Sequence, residues 1–305
     1  KILSMKRRAF IKNAAASTVL LSMGGINLSC AEQKPTKITI LHTNDVHSHI
    51  DPFGPNDGRN ANKGGVARRA TLIQKLRQEN PNTLLLDAGD IFQGTPYFNY
   101  YGGELEFKLM SMLDYDAATI GNHDFDNGID GLYAQLPHAK FDFISANYDF
   151  KNTVMDSHVQ PYKIFNKSGV KIGVFGLGIE LQGLVSKDAF KETKYLNPIE
   201  IAQDMSRILK TEKECALVIC LSHLGYDYKN SQKVSDRSLA RATKDIDLII
   251  GGHTHTFLDK PTTETNTAGQ TVLINQVGCY GLFLGQVDFY LAPQGKYFSS
   301  QTLKI

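Results

Sequence analysis

The sequence has little cysteine and little net charge, and each shortage excludes a class of protein. Only four of its 305 residues are cysteines, and the three that follow Cys30 do not form the dense pattern of a disulfide-stabilised fold. None of them has the spacing of a cysteine metal site. Lysine and arginine (33) nearly balance aspartate and glutamate (31) and are interspersed with them. That pattern argues against a nucleic-acid polymer as the partner, because such a partner needs clustered positive charge.

The apolar stretch near the N-terminus, residues 14–26, is too short to cross a membrane. Glycines interrupt it, and its length is typical of a secretory signal. Residues 7–12 (RRAFIK) resemble a twin-arginine export signal, and Leu28-Ser29-Cys30 resembles a bacterial lipobox. We interpret residues 1–30 as an export signal and residues 31–36 as a linker. The protein is therefore expected to be periplasmic after simple cleavage or, if Cys30 is acylated, a membrane-anchored lipoprotein, with no other attachment to a membrane.

Strand-like and helix-like patterns alternate through residues 37–305, which we interpret as one domain. Apolar runs predict strands at 37–42, 83–86, 117–120, 141–145, 217–222 and 246–250. Helical spacing recurs at 66–78, 105–113, 129–136 and 199–209, and a hairpin is predicted over 162–175. The pattern from residue 271 onward is all strand. Alternation of this kind predicts a layered α/β fold.

Side chains that can bind a metal follow five of these predicted strands. In chain order they are Asp45, His47, Asp90, Asn122, His223, His253 and His255. Ligand sites in layered α/β folds gather at the carboxyl ends of strands, so these groups are expected to converge. Imidazole and carboxylate without thiolate suit Zn, Mn, Fe or Co. Seven ligands are too many for one tetrahedral ion, and they suit two divalent ions that share a bridging carboxylate.

Residues 38–49 (ITILHTNDVHSH) resemble the first signature of the 5′-nucleotidase family, which belongs to the calcineurin-like metallophosphoesterases. Gly89-Asp90, residues 121–124 (GNHD), His223 and residues 252–255 (GHTH) match the family's remaining metal motifs in order. Asp124 stands where this family often has glutamate. The resemblance covers about residues 37–291, and it implies a four-layer α/β/β/α sandwich.

The resemblance also implies a role for each of these residues. One ion would be held by Asp45, His47, Asp90 and His255, and the other by Asp90, Asn122, His223 and His253, with Asp90 as the bridge. Asn122 and His123 would contact the phosphate, and His123 would stabilise the transition state or protonate the leaving group. Asp124 would orient His123; the alternative for Asp124 is a cap on the following helix.

The function implied is that of a dinuclear phosphoester hydrolase acting on nucleotides outside the cytoplasm. It would be a 5′-nucleotidase or phosphomonoesterase, with 2′,3′-cyclic phosphodiesterase as a further activity. Most 5′-nucleotidases carry a second, C-terminal domain that binds the nucleoside, and the resemblance here covers the metal domain alone. Two alternatives stay open: a thiosulfohydrolase-like enzyme, or a metal-domain subunit that depends on a separate nucleotide-binding chain.

Overall fold

Two six-stranded sheets organise the computed structural model, which describes residues 34–229 and 232–305. The predicted export signal and Cys30 lie outside the described residues. Residues Pro35–Ile305 cluster as one unit, and the first strand begins at Thr36, at the end of the predicted linker. In the part of the chain that the structure describes, no helix combines the length and apolar character needed to span a membrane.

The strands lie close to where the apolar runs predict them. In chain order they are β1 (Thr36–Thr43), β2 (Thr83–Asp87), β3 (Ala117–Ala118), β4 (Asp142–Phe143), β5 (Tyr148–Asp149), β6 (Tyr162–Lys167), β7 (Val170–Leu177), β8 (Lys194–Tyr195), β9 (Leu217–Ser222), β10 (Leu248–Gly251), β11 (Thr262–Thr265), β12 (Thr271–Asn275), β13 (Phe283–Ala292) and β14 (Gly295–Lys304). The predicted hairpin is β6–β7, paired antiparallel. Strands β3 and β4 are shorter than predicted.

The helices are α1 (Val66–Glu79), α2 (Pro96–Tyr101), α3 (Glu104–Met112), α4 (Gly128–Gln135), α5 (Lys187–Phe190), α6 (Pro198–Arg207) and α7 (Asp236–Ala242). A π-helical turn, Ile208–Glu212, extends α6. Helix α6 begins at Asn197, whose side chain accepts hydrogen bonds from the first-turn amides of Ile199 and Glu200. The apolar periodicity does not predict α2, because five of its six residues are aromatic or proline and none marks an apolar stripe.

The first sheet has the order β14-β13-β1-β2-β3-β4, and the second has the order β11-β12-β10-β9-β7-β6. Their inner faces enclose one apolar cluster, to which Ile40 and Leu84 contribute from the first sheet and Ile219 and Ile250 from the second. A second cluster packs the outer face of the first sheet against α1 and α3, and a third packs the outer face of the second sheet against α6 and α7. The order of layers is therefore α/β/β/α, as the resemblance implied.

Parallel pairing brings the metal-binding side chains to one end of this sandwich. Strands β1, β2 and β3 are parallel neighbours in the first sheet, and β9 and β10 are parallel neighbours in the second. Each of these five strands ends just before one of the candidate ligands. Since parallel strands end at the same edge, the ligands from both sheets meet there.

Candidate metal centre

The candidate ligands form two groups at the carboxyl ends of the strands. Asp45, His47 and His255 make one group, and Asp90, His223 and His253 make the other. Within each group the ligand atoms all lie within 4.8 Å of one another. The Oδ1 atom of Asn122 is 2.9 Å from Nδ1 of His253 and so belongs with the second group. All seven predicted ligands are thus brought together.

Asp90 lies between the two groups. Its Oδ2 atom is 3.0 Å from Nε2 of His223 and 3.8 Å from Nε2 of His47. The other oxygen, Oδ1, accepts the backbone N–H of His123 at 2.8 Å. One carboxylate oxygen therefore faces a histidine of each group, which is the geometry that a bridging ligand requires.

Backbone carbonyls orient two of the histidines. Nδ1 of His223 lies 2.6 Å from the carbonyl oxygen of Ala88, and Nδ1 of His47 lies 3.2 Å from that of Phe92. A carbonyl can only accept, so Nδ1 carries a proton in both rings, which leaves Nε2 as the atom that would bind an ion. Nε2 of His223 is completely buried and faces Oδ2 of Asp90 at 3.0 Å. A buried nitrogen of this kind suits a metal ligand.

Asn44 orients Asp45 and is a contributor that the sequence reasoning missed. Its Nδ2 donates to Oδ2 of Asp45 at 2.6 Å and to the carbonyl of Gly278 at 2.7 Å. The backbone N–H of His253 donates to Oδ1 of the same carboxylate at 2.9 Å. These contacts hold Asp45 in place before a cation binds. Asn44 could have been identified from the sequence, because it lies next to a candidate ligand at the end of a strand.

The backbone at the ligands is held in an uncommon conformation. Asp45, His47, Asp90, His253 and His255 have φ values of 49°, 49°, 55°, 70° and 51°, in the left-handed region that non-glycine residues seldom adopt. Such residues cost of order 1–3 kcal/mol each and persist only where the surroundings impose them. Gly121 makes the close approach possible, because a methyl group there would collide with the carboxylate and backbone nitrogen of Asp90.

The carboxylates of the site favour the protonated, positively charged form of two of its histidines. Burial lowers the pKa of His223, but the charge and hydrogen bond of Asp90, the charge of Asp45 and the hydrogen bond with Ala88 together raise it to about 10. A hydrogen bond with Asp45 raises the pKa of His255 to about 10 as well. Burial raises the pKa of Asp90, but His223, His47 and His123 together hold it well below its ordinary value. Two divalent cations would also balance the negative charge of these carboxylates. The carboxylate and imidazole donor atoms therefore fit the two ions that the sequence predicted.

His123 lies beside the ligands, but Asp124 does not orient it as predicted. Nδ1 of His123 lies 2.9 Å from Oδ2 of Asp126. The carboxylate of Asp124 is fully buried and instead accepts the backbone N–H groups of Asp90, Ile91, Phe92 and Gly121. Asp124 therefore holds the loop that carries Asp90, and Asp126 takes the place at His123. The short turn His123–Phe125 explains the difference, because it points residues 123 and 126 to the same side.

The family model for calcineurin-like phosphoesterases matches residues 38–257, about seven-tenths of the chain. The chain belongs to this family. It is 34% identical over 284 residues to snake venom 5′-nucleotidase from Crotalus adamanteus, covering 87% of this chain and 47% of that protein. It is 33% identical to human 5′-nucleotidase, covering 94% of this chain and 52% of the human protein. The chain thus spans about half the length of these curated relatives.

Among solved structures, the fold is similar to that of the 5′-nucleotidase precursor from Thermus thermophilus. The TM-score is 0.80 at 32% sequence identity, over 88% of this chain and 55% of that one. The family match, residues 38–257, includes all seven candidate ligands.

Metal binding is expected to stabilise this calcineurin-like domain. A ligand at 100 times its Kd adds about 2.7 kcal/mol to the free energy of unfolding, which is about 5–10 °C in Tm for a domain of this size. We expect Zn²⁺ or Mn²⁺ to raise the Tm of the chelated protein by about this amount. His47→Ala should reduce the shift. Equal melting temperatures for the chelated and metal-supplemented protein would contradict the site.

Proposed function

We propose that this chain is a two-metal phosphoester hydrolase that removes phosphate from nucleoside 5′-monophosphates outside the cytoplasm. The observation that carries the proposal is the position of Asp90 Oδ2 between the two ligand groups. Membership in the calcineurin-like phosphoesterases and identity of about one third to 5′-nucleotidases support the reaction and the substrate class. The sequence pattern of residues 7–12 and 28–30 supports export.

The grouping of the ligand atoms supports the roles that the resemblance implies for these residues. Asp45, His47, Asp90 and His255 would hold one ion, and Asp90, Asn122, His223 and His253 the other. When bound, two such ions supply a water nucleophile of lowered pKa and neutralise charge on the phosphoryl oxygens. Which divalent metals fill the site belongs to the proposal, with Zn, Mn, Fe and Co as the candidates that suit these donors.

His123 would supply a proton on the side of the leaving group. The Nδ1–Asp126 hydrogen bond leaves Nε2 directed away from the carboxylate, and the ring lies edge-on to His47 with 5.3 Å between ring centroids. The hydrogen bond to Asp126 raises the pKa of His123 above its ordinary value, which increases the protonated fraction near neutral pH. A protonated imidazole at this place can protonate the departing nucleoside oxygen.

A substrate panel with metal analysis tests the proposal. The purified chain, loaded with one divalent metal at a time, would be assayed with nucleoside 5′-monophosphates, a 2′,3′-cyclic nucleotide, p-nitrophenyl phosphate and a thiosulfate ester. We expect two ions per chain and phosphate release from the 5′-monophosphates that a chelator abolishes. Failure to hydrolyse any phosphoester with any of the four metals would refute the proposal.

The same panel separates the alternatives. Turnover of the thiosulfate ester without phosphoester turnover would indicate the thiosulfohydrolase-like enzyme. Turnover of 5′-monophosphates by the isolated chain would refute a dependence on a separate nucleotide-binding chain. Acylation of Cys30 is tested independently by mass spectrometry of the membrane fraction, with Cys30→Ala as the control.

A further inference from the structure

Two charged side chains are buried beside the loop that carries His47. Arg69, in α1, is 5% exposed, and Glu106, in α3, is 4% exposed. Charged side chains of these types are seldom fully buried unless they are paired. Within residues 34–229 and 232–305 neither forms an ion pair, and Nε of Arg69 and Oε2 of Glu106 make no hydrogen bond. These two buried atoms therefore require a partner.

The same two side chains line one small cavity. Its walls also include Ser48, Met110 and Tyr115, and its volume is about 20 Å³. One internal water needs about 10–15 Å³ of such space and two to four polar partners. Nε of Arg69 can donate to a water, and Oε2 of Glu106 can accept from it. The cavity therefore has the size, the donor and the acceptor that a single water requires.

Glu106 is joined to the metal centre through Ser48. Oγ of Ser48 donates a hydrogen bond to Oε1 of Glu106. The backbone N–H of Ser48 donates to the carbonyl of Ile91 at 2.9 Å, and the carbonyl of Ser48 accepts the Thr95 hydroxyl at 2.8 Å. Because Ser48 directly follows His47, these contacts hold the peptide group that joins the two residues.

The loop at His47 and Ser48 has a backbone conformation that depends on such support. The φ values of these residues are 49° and 57°, in the left-handed region that non-glycine residues keep only where the surroundings impose it. A methyl group on Gly94 would lie 2.7 Å from the carbonyl oxygen of His47, so the loop is closely packed on that side. The hydrogen bond to Glu106 is thus one of the constraints that place the His47 ring near Asp90.

Arg69 lies against another segment of the metal centre. Its Nη1 atom approaches Gly281 so closely that a methyl group there would lie 2.3 Å away. The neighbouring Tyr280 donates its backbone N–H to the carbonyl of Asp45 at 2.7 Å. Arg69 therefore packs against a segment that holds one member of the first ligand group, which consists of Asp45, His47 and His255.

We propose that an internal water bridges Nε of Arg69 and Oε2 of Glu106. Through Ser48, this buried network positions His47 for the ion of the first ligand group, so the inference rests on the two-ion site of the proposed function. Glu106 and Ser48 are positioning residues, because neither is a candidate ligand. Loss of a group that orients a metal ligand typically weakens metal binding about 10–100-fold. Since the network adjoins the first ligand group, it should act on one of the two ions.

Metal titration tests the positioning role without any need for catalysis. Mn²⁺ would be titrated into the chelated full chain by calorimetry, and His47→Ala would show which binding step belongs to the first ligand group. We expect Ser48→Ala and Glu106→Ala each to raise the Kd of that step about tenfold and to leave the other step unchanged. Wild-type Kd values in both variants would overturn the inference.

A double variant and a control distinguish positioning from a general loss of structure. Because Glu106 acts through Ser48, the combined alanine variant should weaken the step about tenfold, rather than by the product of the two effects. Glu106→Gln keeps an acceptor for the Ser48 hydroxyl and should bind Mn²⁺ more tightly than Glu106→Ala. Glu104→Ala removes an exposed carboxylate of the same helix, paired with Lys108, and should leave both steps unchanged. Equal weakening of both steps would indicate a structural role and refute the inference, as would multiplied effects in the double variant.

A crystal structure of the metal-loaded full chain tests the water itself. We expect one ordered water about 2.7–3.2 Å from both Nε of Arg69 and Oε2 of Glu106. Arg69→Met, which keeps a long side chain but removes the donor, should lose this water. Direct contact between the two side chains, or a cavity without an ordered water, would refute the bridge.

Hydrolysis by the same variants distinguishes failure of this inference from failure of the proposed function. Phosphoester turnover by the unaltered chain, with unchanged Mn²⁺ affinities in Ser48→Ala and Glu106→Ala, would refute the positioning role and leave the proposed function intact. Selective weakening of one step, in a chain that hydrolyses no phosphoester, would refute the proposed function and leave the positioning role intact.

Discussion

Asp90→Asn is expected to remove metal from both positions and to abolish hydrolysis. The Oδ2 atom of Asp90 faces His223 of one group at 3.0 Å and His47 of the other at 3.8 Å. The substitution removes the negative charge that the two ions would share, and an amide NH2 in place of that oxygen repels a cation. Inductively coupled plasma mass spectrometry should find well under one ion per chain, where the unaltered protein holds two.

Asp87→Asn is the matched control for Asp90→Asn. Asp87 is also fully buried at the end of β2, but its two oxygens accept hydrogen bonds from Thr43 and Gly89 rather than facing the histidines. Burial raises the pKa of Asp87 to about 7, so a substantial fraction of this side chain is already neutral near neutral pH. This variant should keep both ions. Full metal content in Asp90→Asn would refute the bridging role.

His123→Ala is expected to keep both ions and to lose about 10²–10⁴-fold in kcat, the contribution that a positioned general acid usually makes. The backbone N–H of His123, which donates to Oδ1 of Asp90, survives the substitution, so Asp90 keeps its support. The ring itself is not placed among either group of ligands. Metal analysis and phosphate release on the same sample check the prediction, and wild-type turnover would refute the role.

The partner of His123 can be tested through the pH dependence of the same reaction. The hydrogen bond to Asp126 raises the pKa of His123, and this effect outweighs burial. The acid form of His123 is the active one in the proposed role, so activity should be lost as pH rises through that pKa. In Asp126→Asn the pKa falls, and the basic limb of kcat should move to lower pH. Asp130→Asn, an exposed carboxylate paired with Lys191, should leave the limb in place.

The candidate metal ligands could be selected from the sequence because each comes shortly after a strand whose pattern is clear in the chain. Asp45 follows the run ending at Thr43, and His223 follows the run ending at Ser222. Parallel pairing of such strands leaves little freedom in where their ends lie. His42, which lies inside β1 rather than after it, is fully buried, with Nε2 2.9 Å from the side-chain nitrogen of Asn275.

The role expected for Asp124 was wrong because it depended on the geometry of a turn. Neighbours in sequence point in different directions once the chain turns tightly, and Asp124 is directed inward to four backbone amides. Asp126, one turn further on, reaches the imidazole. The sequence alone does not distinguish these two carboxylates. Each is close enough to His123 in the chain for its side chain to reach the imidazole.

The sequence by itself determined the layered α/β class, the seven ligand types and their division among strand ends, because strand periodicity and ligand chemistry are local properties. Only the tertiary structure decided that Asp90 Oδ2 lies between the two groups and that Asn44 and Asp124 hold the loops that carry the candidate ligands. The placement of Asp90 and the contacts of Asp124 with residues 90–92 depend on atoms that are distant in the chain and meet only on folding, so residue order alone does not fix the distances between them.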